Sequence, residues 1–134
     1  MLLLDASVWV AAKDDRDRYR ESARSLAVDS DKPVAALDLT LYEVANVVGA
    51  RMRRSEDAAD LCRLILARCL NHLVTVDAEL IRRTVGIAAE HGLTAYDAAY
   101  VAAARRHGWT LVSTDIADLV SKGLAVAPDA ADYP

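Results

Sequence analysis

The sequence predicts an α/β fold, a three-layer α/β/α sandwich around a mostly parallel sheet, and three observations predict it. Apolar runs of strand length recur at residues 2–4, 34–37, 73–76 and 110–113, and the segments between them carry helical periodicity. Two of those segments stop at glycines, Gly92 and Gly108, placed where a helix C′ residue belongs. Strands that alternate with helices in this way pair in parallel and are covered on both faces.

The first strand, residues 2–4, ends at Asp5 and runs into a helix through Ser7, Val8, Trp9 and Val10. Residues 16–28 return an apolar side chain at Tyr19, Ala23, Leu26 and Ala27, an amphipathic helical pattern. Turn residues at 29–33 precede the second strand at 34–37. Thr40 and Glu43 then have capping-box spacing, which predicts a helix opening there and running to about Arg53. Residues 56–70 carry a stripe of Leu61, Leu64, Ile65 and Cys69, and a third strand follows at 73–76. Helices are expected at 77–91 and from Thr94 to 107, a fourth strand at 110–113, a short helix from Asp115 to Lys122, and a last strand at 124–126. The tail beyond Pro128 is expected to fray.

With 134 residues the chain is long enough to bury a core without staples, and residues 1–134 are read as a single domain. Hydrophobic residues make up 54% and charged residues 27%, a globular balance with no membrane-length apolar run. The N-terminus lacks the basic region and long apolar stretch of a signal peptide, so a cytoplasmic protein is expected. Cys62 and Cys69 lie about 10 Å apart along one helix and cannot bridge, and the three histidines have no metal-ligand spacing to them. A net charge of −4 argues against nonspecific coating of nucleic acid. Arginine clusters at 16–24, 51–54, 82–83 and 105–106 read first as solvated helix faces, with a local phosphate track as the alternative.

Four acids fall at related points. Asp5 ends the first strand, Glu43 lies early in the helix after the second, Asp97 opens a helix, and Asp115 follows the fourth strand. Singly, each is explained by helix capping and the helix dipole. Together they fall on one edge of a parallel sheet, where ligands of such folds bind. Two like charges about 4 Å apart repel by roughly 4 kcal/mol at an effective dielectric of about 20, so such a group needs protons or a cation. Carboxylates without thiolate or imidazole suit Mg²⁺ or Mn²⁺, and the chemistry that uses such sites is phosphoryl transfer.

At these residues the chain resembles the PIN-domain ribonucleases, and within them the VapC-type toxins of bacterial toxin–antitoxin pairs. Leu4-Asp5-Ala6-Ser7 is similar to the family's opening motif, Glu43-Val44-Ala45-Asn46 to its acidic helix motif, Thr94-Ala95-Tyr96-Asp97-Ala98 to its third acidic position and Ser113-Thr114-Asp115 to its fourth. The resemblance covers nearly the whole chain. It implies a Mg²⁺-dependent endoribonuclease in which Asp5, Asp97 and Asp115 hold the metal and Glu43 completes the acidic pocket, with Ser7 and Ser113 behind them. Asn46, one turn after Glu43, would orient that carboxylate or a water, or is plain helix surface. For Asp118 the simpler reading is a solvated helix acid, with an approach to the metal as the alternative.

The resemblance also implies an RNA substrate, a small cognate antitoxin as partner and a homodimer. Trp9, Val47, Val48, Leu61, Leu64 and Ile65 would line an apolar groove for a partner, although stripes at this spacing are more often core. Trp9, Tyr42 and Tyr96 fall near the acidic pocket and are each expected to pack in the core. An aspartyl-phosphate phosphatase or receiver-like domain fits less well, because Asp5 is not followed by a second aspartate two residues on and no lysine follows a late strand. A non-catalytic binding module, in which the acids only cap helices, predicts no metal affinity.

Overall fold

The computed structural model describes residues 1–132 and contains a four-stranded sheet whose strands are all parallel, in the order β3-β2-β1-β4. The strands are β1 (Leu2–Leu4), β2 (Val34–Leu37), β3 (Leu73–Val74) and β4 (Thr110–Val112). The helices are α1 (Ala6–Ala11), α2 (Arg20–Ala27), α3 (Asp38–Val44), α4 (Ser55–Arg68), α5 (Ala78–His91) and α6 (Ala95–His107). Period-two alternation along β1 and β2 divides the core. Leu2, Leu4, Val34 and Ala36 face α1, α2 and α4 with Trp9 and Ile65, while Leu3, Ala35 and Leu37 face α5 and α6 with Tyr100 and Val101. The expected three layers are present. β1 lies inside the sheet and its three leucines have no exposed surface, which is why this strand reads as a continuous apolar run.

Several boundaries differ from the sequence expectation for local reasons. α3 opens at Asp38 rather than at Thr40, because Thr40 sits in its first turn and its Oγ1 accepts the Leu37 amide at 3.2 Å. Glu43 is therefore a turn deeper and caps nothing. The helix also changes character after Val44, widening into a π-helical stretch, Ala45–Arg51, so the expected single helix to Arg53 is two segments. Arg53 then takes a left-handed conformation, φ 56°, and ends it. The expected last strand is a single parallel bridge, Val126 to Val112, and the helix after Asp115 is a π-helical turn, Ile116–Val120. Pro128 is buried and begins a 3-10 turn, Pro128–Ala130, so the segment just after Ala127 is folded where fraying was expected; the rest of that expectation lies partly outside the described residues.

α5 and α6 form an antiparallel pair, since Asp77 at the start of α5 accepts the Arg106 guanidinium from the last turn of α6 at 2.7 Å. α6 therefore begins at the carboxyl edge of the sheet. Both helices end as their sequences predict, on Gly92 (φ 64°) and Gly108 (φ 67°).

The two glycines of α5 give opposite expectations. Gly92→Ala forces a left-handed Cβ and should lower stability by about 1 kcal/mol. Gly86 lies within the helix with open space where a Cβ would sit, so Gly86→Ala should raise stability by about 0.5–1 kcal/mol. Denaturant melts of both variants check the pair of signs.

Candidate metal centre at the carboxyl edge of the sheet

Asp5 stands where the β1–β4 ladder ends, its amide donating to Val112 O at 3.2 Å. It is buried at 5% exposure and caps α1, Oδ1 accepting the Val8 amide at 3.3 Å. The same Oδ1 accepts the Ser7 hydroxyl, and Ser7 Oγ lies 3.5 Å from Ser113 Oγ while accepting the Thr114 amide at 3.0 Å. Ser113 Oγ in turn accepts the Asp115 amide at 3.0 Å. The two serines thus tie the end of β1 to the end of β4, and both lie directly behind the acids.

Asp97 is in the first turn of α6, where Thr94 Oγ1 accepts its amide at 3.2 Å, as the capping spacing predicts. Asp115 caps the π-helical turn by accepting the Asp118 amide at 3.0 Å. One carboxylate oxygen from each of Asp97, Asp115 and Asp118 falls within 4.8 Å of the others. Asp118 is both an exposed helix acid and a member of this group. Asp5 is outside that tight group, but the charge of Glu43 acts on it, and the charge of Asp97 acts in turn on Glu43.

Two further residues hold Glu43. Tyr100, buried at 1% exposure, donates its hydroxyl to Glu43 Oε2 at 2.6 Å and shares a 2.8 Å hydrogen bond with the Thr40 hydroxyl. Sequence reasoning missed Tyr100 in this role. Its spacing was the available signal, since Tyr100 lies one turn after Asp97 and Thr40 one turn before Glu43, on helices that face each other. Asn46 is exposed and lines the same cleft as Glu43.

Burial and crowding raise the affinity of these acids for protons. Desolvation pushes the Asp5 carboxyl up to about 6, against hydrogen bonds from Ser113, Ser7 and Val8 that favour the anion. Glu43 is raised first by desolvation and then by the charge of Asp97. Asp97 is raised by desolvation and by the charges of Asp115 and Asp118, with Lys122 opposing. The tight group contains oxygen donors only, so the residues present fit a hard divalent cation.

The other sequence expectations sort as follows. Trp9, Val48, Leu61 and Ile65 are core, as the plainer reading of that stripe holds, whereas Val47 borders the cleft. Tyr42 and Tyr96 are not core: they are 76% and 61% exposed. The side chains beside them on their helices, Glu43 and Asp97, take the inward direction, which turns both rings outward. Five of the eleven clustered arginines lie in ion pairs: Arg20 with Asp15, Arg24 with Asp29, Arg54 with Asp57, Arg83 with Glu79 and Arg106 with Asp77. Cys62 and Cys69 are free thiols.

The sequence profile of the PIN domain matches residues 2–118. The chain belongs to the PIN domain family. It is 32% identical over 118 residues to Ribonuclease VapC3 of Pyrobaculum aerophilum, covering 85% of this chain and 88% of that protein. Among solved structures it is similar to VapC20 of Mycobacterium tuberculosis, described as a sarcin–ricin loop cleaving toxin, with a TM-score of 0.77, 18% identity and coverage of 92% and 95% of the two chains. It is similar also to a toxin–antitoxin complex from Klebsiella pneumoniae, with a TM-score of 0.72, 19% identity and coverage of 96% and 98%. The PIN fold accounts for the four parallel strands and for the edge on which the acids meet. No helix among the described residues is long and apolar enough to cross a membrane.

Two stability measurements probe the electrostatics without reference to activity. An unfolded aspartate titrates near 3.9, so between about pH 4 and pH 6 folded metal-free protein keeps a proton on Asp5 that the unfolded chain has lost. Stability should therefore fall as pH rises through that window, by about 3 kcal/mol from this group, and Asp5→Asn should remove that component. Denaturant melts in EDTA at several pH values read the difference. Asp97→Asn keeps shape while deleting one of the crowded charges, so metal-free Asp97→Asn should melt a few degrees above metal-free wild type, roughly what 1 kcal/mol gives in a domain of this size.

Proposed function

We propose that the chain acts as a single domain, residues 1–134, and is a divalent-cation-dependent endoribonuclease, the toxin of a toxin–antitoxin pair. The observation that carries this reading is the meeting of Asp97, Asp115 and Asp118 within 4.8 Å, beside Asp5 and Glu43, in a PIN-family chain related to a protein named as a ribonuclease. Mg²⁺ is the expected ion, with Mn²⁺ able to replace it. Asp97 and Asp115 would hold it, with Asp5 and the exposed Asp118 completing the negative surround. Bound there, the ion supplies a water of lowered pKa and neutralises charge on the phosphodiester.

The chain's own groups do the rest. Tyr100 occupies Glu43 Oε2, and Glu43 lines the cleft, so its other oxygen would accept the proton of the attacking water. Desolvation and the nearby charge of Asp97 raise the proton affinity of Glu43, the direction a proton acceptor requires. Ser7 and Ser113 hold the ends of β1 and β4 together and so fix the spacing of Asp5 and Asp115, while Asn46 lies beside Glu43 at the cleft. A cognate antitoxin is the expected inhibitor, as the Klebsiella pneumoniae complex suggests by analogy, and a cytoplasmic homodimer is the expected form. A binding module whose acids only cap helices accounts for Asp5 and Asp115 but not for Glu43, which caps nothing.

Purified protein should cut RNA internally with Mg²⁺ or Mn²⁺ and leave 5′-phosphate and 3′-hydroxyl ends, since a water rather than the ribose 2′-hydroxyl attacks. Cyclic 2′,3′-phosphate ends, or full activity in EDTA, would refute the metal mechanism. Asp97→Asn and Asp5→Asn should each remove most activity. Asp118→Asn should lose less, because that side chain is the most exposed of the group. Calorimetry with Mn²⁺ on the same variants should rank them in the same order.

A further inference from the structure

The two exposed tyrosines form a pair that the acidic cluster does not explain. Among the described tyrosines, Tyr19 and Tyr100 are buried, whereas Tyr42 and Tyr96 are 76% and 61% exposed. Both exposed rings line one cleft of about 640 Å³, together with Ser7, Glu43, Asn46 and Thr114. They come from different elements, Tyr42 from α3 and Tyr96 from the start of α6, and each immediately precedes an acid of the site, Glu43 or Asp97. Adjacent helical residues point about 100° apart, so a carboxylate turned inward leaves its neighbour on the rim. An exposed aromatic forfeits the burial that ordinarily stabilises it, and here two do so around one opening.

The charge of the cleft narrows what those rings meet. Its lining offers one guanidinium, Arg51, against the carboxylates of Asp17 and Glu43, so a polyanion gains little there from charge alone. Binding must then rest on neutral faces, and every nucleobase presents one. Bases can reach the rings only where they are unstacked from their neighbours, which excludes the interior of a duplex.

We infer that Tyr42 and Tyr96 are the recognition residues of the cleft, stacking on the bases that flank the phosphate presented to the acidic cluster. The inference rests on the ribonuclease reading and deepens it. Stacking is tolerant of sequence, so these rings set affinity for unpaired RNA and leave base choice to other groups.

The test uses a short fluorescent single-stranded RNA, an abasic ribose–phosphate chain of equal length and an RNA duplex, with binding read by anisotropy in EDTA and cleavage read with Mn²⁺. Tyr42→Ala and Tyr96→Ala should each weaken single-strand binding by roughly five- to a hundredfold, the range that loss of one stacked base gives. Most of the loss should appear in KM, and Tyr→Trp at either position should restore it within a few-fold. Binding of the abasic chain should be weak and insensitive to all of these changes. Leu70→Ala, at an equally exposed residue before β3 and outside the cleft, should change nothing. Wild type that cuts RNA while the alanine variants keep its KM and affinity overturns the stacking role alone, including the case in which the rings serve a protein partner. Wild type that neither cuts RNA nor binds Mn²⁺ overturns the ribonuclease reading beneath it.

Discussion

The structure depends on one constraint: four parallel strands deliver their carboxyl ends to a single edge, and acids placed there must share a small volume. A parallel sheet makes this unavoidable, because each strand ends in the same direction and each following turn starts from the same line. The antiparallel α5–α6 pair brings the start of α6 to that edge as well, so Asp97 meets Asp115 although their elements are not consecutive strand ends. The resulting repulsion is a cost to the folded state. The apolar strands beneath, with the fully buried leucines of β1, oppose it.

Between the acids and the core lies a tier of hydroxyls that makes the crowding tolerable. Ser7 and Ser113 serve Asp5, and Tyr100, itself held by the Thr40 hydroxyl, serves Glu43. A buried carboxylate without such partners would cost several kcal/mol or titrate away entirely. The tier also crosses between elements: the serines join β1 to β4, and the threonine–tyrosine pair joins α3 to α6. Site geometry and fold packing are thus carried by the same hydrogen bonds.

Much of this was legible in the sequence, and the parts that were not share a cause. Asp5, Asp97 and Asp115 stand at strand ends or helix starts, which local patterns mark well, and the glycine stops at Gly92 and Gly108 fell where expected. The start of α3 was misplaced because Thr40 has the spacing of an N-cap while its hydroxyl serves the Leu37 amide from inside the first turn. The π-helical widening at Ala45–Arg51 leaves no periodic trace in seven residues. The role of Tyr100 was not read from the sequence, since only the tertiary approach of α3 gives its hydroxyl a partner. Tyr42 and Tyr96 were assigned to the core on residue type, but the direction of a ring on a helix is decided by which neighbour turns inward, and composition does not carry that. Asp118 was ambiguous for the opposite reason, being exposed and close to two other acids at once.

The caps at Asp5 and Asp115 carry a last consequence. In each, Oδ1 is committed to a backbone amide, that of Val8 or of Asp118, and the Asp5 oxygen also receives the Ser7 hydroxyl. Of the two, Asp115 belongs to the tight group. A carboxylate capped in this way offers a one-handed grip, and a large ion such as calcium draws much of its binding from carboxylates that clasp it with both oxygens. On the proposed metal reading, a cap that engages one oxygen of Asp115 at the start of a helix would favour a smaller ion.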